Sequence, residues 1–246
     1  MTYCVVVAVN QGLVFTSDSR TNAGVDRVST YSKMHRFNRE GDRHFTILSA
    51  GNLGTTQAVI SQVQRDIDED AEINLMNVSR LEDAAEYLGT VNFNSLTKHK
   101  HSEGETQFSP EATFLLGGQI IGGPARAFLI YPEGNYITTS EDTPFLQIGE
   151  SKYGKPILDR VVCADTALDE CAKCSLVSMD STMRSNLSVG MPIEILVCES
   201  DNFGSMRYMK FDSDSEYMRG IAKSWDHFIV EAFAKLPAID WSAESA

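Results

Sequence analysis

The sequence predicts an α+β protein in which two stacked antiparallel sheets lie between layers of helix, a four-layer αββα sandwich. Two observations lead there. The apolar pattern changes period along the chain in a set order: strands, two helices, strands, two helices, strands, one helix. Tight turns join neighbouring strand patterns, which calls for antiparallel pairing. Strand clusters flanked by helix pairs bury their apolar faces as sheet on sheet with helices outside. No internal repeat, low-complexity segment or linker interrupts residues 1–246, so the chain reads as one domain.

Tyr3–Val9 is apolar on both alternating sets, the pattern of a strand covered on both faces. Gln11-Gly12 turns the chain, and Leu13–Ser17 returns as a second strand. Val25–Tyr31 is polar and reads as irregular, Met34–Phe37 as extended, and His44–Ser49 as another strand. Thr56, Val59, Ile60, Val63 and Ile67 fall at helical spacing, and the acidic stretch Asp66–Asp70 closes that helix. Ser79-Arg80-Leu81-Glu82 is a capping box for a second helix with the stripe Leu81, Ala84, Ala85, Leu88 and Val91. Lys98–Glu105 reads as a charged loop; its His99 and His101 do not by themselves make a metal site.

Thr113–Ile121, Ala125–Tyr131 and Tyr136–Thr139 form a meander, with turns at Gly122-Gly123-Pro124 and Pro132-Glu133-Gly134-Asn135. Gly117-Gly118 lacks the lysine and following helix of a phosphate loop. Phe145–Gly149 is a strand leading into a helix near Ser151. Thr166 is placed to cap the next helix, striped by Leu168, Cys171, Ala172, Ser175, Met179 and Met183. Strands follow at Pro192–Cys198 and Met206–Phe211. Ser213–Glu216 caps a last helix, whose Met218, Ile221, Trp225, Phe228, Ile229, Ala232, Phe233 and Leu236 read as a face packed on the core, with a subunit contact through Trp225, Phe228 and Phe233 as the alternative. Pro237 ends it, and 237–246 reads as a loose tail.

Composition narrows function. A net charge of -13 argues against nucleic acid, whose phosphates need a basic face. No apolar run is long enough to span a membrane as a helix. Five cysteines with no secretory leader point to a reducing, cytoplasmic setting. Cys171 and Cys174 share a helix face, which indicates core packing, not half of a zinc site. No metal or cofactor is expected. No ATP-binding loop occurs, so any ATP-driven unfolding needs a separate partner.

The chemistry lies in the first fifty-one residues. The expectation is that only Met1 precedes Thr2 and is removed. The α-amine of Thr2 then sits on the same residue as a hydroxyl that needs a base. A free α-amine has a pKa of about 7.7–8.0, close to working pH, and can be that base. A lysine cation nearby lowers the amine's pKa, a carboxylate holds that lysine, and a glycine N–H can receive an oxyanion. Asp18 in Ser17-Asp18-Ser19-Arg20, Lys33, and Gly51 in Ser49-Ala50-Gly51 supply these types in order. Taken singly, each has a bland explanation: Asp18 as a turn acid, Lys33 as a surface charge.

The ordered set resembles the β-type subunits of proteasomes, in the N-terminal nucleophile hydrolase superfamily. Asp18 lies sixteen residues after Thr2, as in that family; Lys33 lies thirty-one after, one short of the family spacing. Ser17–Asp26, Ser178-Met179-Asp180-Ser181-Thr182 and Arg184-Ser185-Asn186 resemble the bacterial group Anbu, the ancestral β-subunit. The resemblance covers essentially the whole chain. It implies the αββα sandwich as an N-terminal nucleophile hydrolase fold and Thr2, Asp18, Lys33 and Gly51 as catalytic residues. Arg20 matches the arginine of the family's Asp-x-Arg. Ser151 takes the place of a supporting serine, and Asn22 that of a residue aligning substrate backbone. The family's further acid and serine fall on Asn186 and Val189, a departure; Asp180, Ser185 and Ser188 are nearby substitutes.

Three functions follow. The first is a threonine peptidase acting on peptides or unfolded protein. The second is an amidase on a small amide. The third is a non-catalytic, self-assembling subunit, which retention of Met1 would favour. The resemblance also implies a large homo-oligomer, a ring or an open helical array, that encloses the sites.

Overall fold

A computed structural model describes residues 2–22, 28–102 and 109–241. The chain opens with β1 (Tyr3–Val9), β2 (Gly12–Asp18), β3 (Arg20–Asn22), β4 (Val28–Thr30), β5 (Met34–Arg39) and β6 (Arg43–Gly51). Helices α1 (Leu53–Asp68) and α2 (Leu81–Ser102) follow, then β7 (Ala112–Ile120), β8 (Arg126–Ile130), β9 (Tyr136–Thr138) and β10 (Phe145–Gly149). The chain continues with α3 (Lys155–Val161), α4 (Leu168–Ser185), β11 (Ile193–Glu199), β12 (Arg207–Phe211) and α5 (Glu216–Ala234).

Alternation along β1 accounts for the layering. Successive side chains of a strand point to opposite faces. Val5, Val7 and Val9 join one core with Leu168, Cys171 and Met179 of α4. Cys4 and Val6 join another with Leu13, Phe15, Leu48 and Leu115, between the sheets. β6 divides likewise. Phe45 and Ile47 pack with Val59 and Val63 of α1 and with Ala84 and Leu88 of α2, while Leu48 and Ala50 face the inter-sheet core. One sheet has the order β10-β1-β2-β11-β12 and the other β5-β6-β7-β8-β9, with every pairing antiparallel. Three cores separated by two sheets make the αββα sandwich that the sequence predicts.

Several local expectations are corrected. The segment from Val25 is not irregular throughout: Val28–Thr30 pairs with Arg20–Asn22 as a short ribbon, and residues 23–27 lie outside the described ones. Helix α2 runs through Lys98 to Ser102, where a loop is expected, because no Gly or Pro occurs there to end it; residues 103–105 lie outside the described ones. At its start Asp83, not Glu82, reaches back to the Arg80 N–H at 3.1 Å. Glu82 instead pairs with Arg126. Thr166 does not cap α4; its hydroxyl takes the Cys163 N–H at 2.9 Å, and the cap position is Ala167. No helix begins at Ser151, since a turn intervenes before α3.

The largest correction concerns α5. Its one buried residue is Met218, and its aromatic stripe is left outside the core. The helix packs mainly on α4, already the outer layer, and only its first turns reach the sheet, where Tyr217 stacks on Phe211 of β12. After Ala234, residues 237–241 form no regular element and stay exposed, and residues 242–246 lie outside the described ones. Among the described residues no helix is long and apolar enough to cross a membrane.

Close approach of the sheets depends on Gly117 in β7. A Cβ there would stand 2.6 Å from Cζ of Phe15, so the missing side chain makes room for the ring. Phe15 is fully buried between the sheets. Phe15→Ala is expected to cost about 3–5 kcal/mol through lost burial and the cavity left behind. A urea melt giving a loss under about 1 kcal/mol would contradict this account of the inter-sheet core.

Candidate active site

The site grows from the end of β2, where the chain leaves the sheet at Asp18. That carboxylate is fully buried. Its Oδ1 accepts from Lys33 Nζ at 2.7 Å and from the Tyr3 N–H at 3.0 Å, and its Oδ2 from the Gly190 N–H at 3.3 Å. Lys33, itself buried, also donates to the Arg20 carbonyl at 2.7 Å. Burial pushes the Asp18 carboxyl above its ordinary range, opposed by the Lys33 cation and the N–H donors. The lysine is fixed at both ends, because its own carbonyl accepts from the Ser49 N–H at 3.1 Å.

Thr2 is pinned through the peptide that follows it. Its carbonyl accepts from the Glu150 N–H at 2.7 Å, and the N–H of that same peptide, on Tyr3, is the one Asp18 holds. The approach requires Gly149, which has φ +81°; a Cβ there would lie 2.0 Å from the Thr2 carbonyl oxygen. Tyr3 anchors the next residue. Its ring is fully buried and its hydroxyl meets Ser178 Oγ at 2.7 Å and Gln147 Nε2 at 2.5 Å. Burial raises the pKa of that phenol to about 12.

Thr2, Lys33 and Gly51 open on one cleft of about 390 Å³. Its walls include Thr21, Tyr31, Ser49 and Ala50, together with Leu53 and Thr56 from the first turn of α1, and none of the described lining residues is acidic. Asn52 caps α1 by accepting from the Thr55 N–H at 3.2 Å. The positive end of a helix dipole therefore faces the cleft. Gly51 has φ +113°, and a Cβ there would strike the Glu111 carbonyl at 2.4 Å. Thr2, Asp18, Lys33 and Gly51, well separated in sequence, thus meet in space.

The remaining sequence candidates divide. Arg20 spans toward the loop after α4, donating to the Leu187 carbonyl at 2.8 Å, and Gly190 leaves room for its guanidinium. Asn186 opens that same loop. Its amide donates to Glu150 Oε2 at 3.0 Å, and its oxygen accepts from the Ser188 N–H at 3.0 Å. Val189 is buried in the α4 core, as its apolar side chain requires. Asp180 turns away, pairing with Arg184 at 3.1 Å, which also reaches Asp226. Ser185 and Ser151 are exposed. Asn22 lies in β3, its side chain outside the described residues.

Glu150 is the residue that sequence reasoning missed. It is 7% exposed, its backbone holds Thr2, and its Oε1 accepts from the Lys152 N–H at 3.2 Å. The resemblance singles out its neighbour Ser151, while the positive φ of Gly149 turns Glu150 inward. A glycine closing an apolar strand just before an acid was the available signal.

The geometry predicts what losing the cation does. Lys33→Met leaves Asp18 buried without its partner, at a cost of about 3–5 kcal/mol at neutral pH. Asp18 then has a folded pKa still further above its unfolded value of about 3.9. A raised carboxyl contributes stability below the unfolded pKa and loses it as pH rises through the folded one. Urea midpoints at pH 4.5 and 7.5 should show the smaller deficit at pH 4.5; an equal or larger one there would refute the pairing.

No protein-family model and no curated protein matches the chain. Solved structures do. The chain is 45% identical to Anbu (ancestral beta-subunit) from Yersinia bercovieri, with a TM-score of 0.90 over 97% of this chain and 98% of that one. It is 42% identical to an Anbu (Gly-1) mutant from Hyphomicrobium sp. strain MC1, with a TM-score of 0.90 over 98% and 100%. It is 41% identical to the Anbu of a structure described as the helical assembly of the Anbu complex from Pseudomonas aeruginosa, with a TM-score of 0.91 over 98% and 99%. With this identity across nearly the whole length, and a sandwich that delivers Thr2 to the buried Asp18–Lys33 pair, the chain belongs to the Anbu family, a proteasome β-subunit-like group with the N-terminal nucleophile hydrolase fold.

Proposed function

We propose that the chain is a threonine hydrolase that cleaves peptide bonds with Thr2 as its nucleophile after Met1 is removed. The observation that carries this reading is the buried Asp18–Lys33 pair opening on the same cleft as Thr2. The free α-amine takes the proton from the Thr2 hydroxyl as Oγ attacks the substrate carbonyl carbon. The oxyanion is received at the Gly51 N–H, beside the positive end of α1. The ammonium returns its proton to the leaving amine, and the peptide C–N bond breaks to leave an ester on Thr2. Water then loses a proton to the amine, attacks the ester, and Thr2 Oγ departs and regains the proton. Lys33 keeps the α-amine neutral by electrostatic repulsion of its protonated form, and Asp18 makes a buried lysine tolerable.

Copies of the chain assemble, and the sites face an enclosed space. The Pseudomonas aeruginosa relative is described as a helical assembly. Here α5 and the segment after it expose Phe228 at 59%, Phe233 at 73% and Trp241 at 77%. Apolar groups so concentrated mark an interaction surface more often than a solvated one. The substrate is a peptide or an unfolded protein segment. Five free cysteines fit a reducing, cytoplasmic setting.

Intact mass of the protein from its own source should show loss of one methionine, and Thr2→Ala should abolish hydrolysis. The acid limb of kcat/KM should lie below the roughly 7.7–8.0 of a free α-amine, since Lys33 depresses it. Retained Met1 with full activity, or an active Thr2→Ala, would overturn the mechanism. In a substrate panel, cleavage of several extended peptides supports the peptidase; turnover of one small amide alone would replace it with an amidase.

Light scattering at micromolar concentration should report a large homo-oligomer, and Phe233→Asp should reduce it toward smaller species. A wild-type monomer that still cleaves peptides would sink the enclosure while leaving the chemistry standing.

A further inference from the structure

Glu194 is a buried acid that the proposed chemistry leaves unused. It lies in β11, opposite Ser17 of β2, with 6% of its surface exposed. Its Oε2 accepts from Ser32 Oγ at 2.7 Å and from Ser19 Oγ at 3.3 Å, and its Oε1 accepts from the Tyr208 hydroxyl at 2.6 Å. Ser19 directly follows Asp18, and Ser32 directly precedes Lys33. One carboxylate therefore grips the two residues that flank the two members of the ion pair. We propose that Glu194 is a positioning residue, which sets the Asp18–Lys33 geometry by clamping Ser19 and Ser32 together from behind the cleft.

The physical case is one of cost and placement. Burying a carboxylate is expensive, and an apolar residue at such a place is often no less stabilising. The buried neighbours Ile193, Ile195 and Leu196 show that β11 packs well with apolar side chains. What an apolar residue cannot do is accept three hydroxyl donors at fixed positions. Two of those donors sit on separate segments, the exit from β2 and the entry to β5. Ser32 is exposed and lines the cleft; its hydroxyl accepts locally from the Met34 N–H at 3.3 Å, and Glu194 is its partner from another element. The third donor, Tyr208, lies on the edge strand β12 with the Arg36 guanidinium over its ring, on the side away from Thr2. It supplies an internal control, because removing it severs a bond to the same carboxylate without touching the ion pair's flanks.

The inference rests on the hydrolase reading for its meaning, but its test does not. In protein labelled with ¹⁵N-lysine, the Lys33 ammonium should give a signal protected from exchange, held as it is by Asp18 and the Arg20 carbonyl. Ser32→Ala and Glu194→Gln should broaden or remove that signal. Tyr208→Phe should keep it, and Ser32→Thr, which restores the hydroxyl, should bring it back. In turnover assays, Ser32→Ala and Glu194→Gln should each lower kcat about tenfold or more with KM changed less than about twofold. Their combination should fall well short of additive, as for two halves of one contact. A Lys33 signal unchanged in Ser32→Ala, or lost equally in Tyr208→Phe, would overturn the clamp. If the wild type cleaves neither peptides nor small amides, the hydrolase reading fails, and the Lys33 signal still decides the clamp.

Discussion

A buried Asp18–Lys33 contact at 2.7 Å is the constraint around which the rest is arranged. Removing two charges from water costs several kcal/mol per ion unless their remaining hydrogen-bonding capacity is met. Here it is met by groups far apart in the chain: the Tyr3 and Gly190 N–H groups and the Arg20 carbonyl. The pair can therefore form only when the start of β1, the end of β2, the entry to β5 and the loop after α4 have all come together. Its own contribution to stability is small or even unfavourable. Its consequence is geometric, since it makes those four segments agree on one arrangement.

Two sheets packed face to face suit that arrangement. β1 lies inside its sheet between β2 and β10, so its first peptide is fixed from both sides, by Asp18 and by Glu150. Side chains carried on strand ends move less than side chains on long loops, which is what a site needing sub-ångström placement requires. The second sheet supplies Lys33 from the entry to β5 and Gly51 from the end of β6, and the helix layer above it supplies the capped end of α1. The cleft thus lies at the junction of both sheets and one helix layer. The loop after α4 is tied to the same segments, Asn186 to Glu150, Leu187 to Arg20 and the Gly190 N–H to Asp18.

The outer helix layer follows a different rule. α4 is buried because it covers β1 and β2, whereas α5 lies mainly on α4, touches the sheet only near its start, and leaves its aromatic face open. A chain with a net charge of -13 repels its own copies at long range, so such a face favours contacts of short reach and large apolar area.

Much of this was legible in the residues. Alternating apolar runs set the strands, the 3.6-residue stripes set α1 and α4, and tight turns required antiparallel neighbours, so the layered architecture followed from local pattern. The ordered set Thr2, Asp18, Lys33 and Gly51 pointed to one site through its resemblance to the proteasome β-type pattern, and the fold brings these residues together. Other features had no local signature. The stripe of α5 reads the same whether it faces a core or open solvent, since periodicity records amphipathicity and not what lies opposite. Glu150 and Glu194 look like ordinary strand-end and strand acids; only the positive φ of Gly149 turns the first inward, and only the pairing of β2 with β11 brings the second behind Ser19 and Ser32. The sequence by itself determined the layers and the chemical types at the site, because those depend on side-chain pattern along a single segment. Tertiary structure alone decided which acids are buried and which apolar face stays open, because burial is a property of the residues that arrive from elsewhere in the chain.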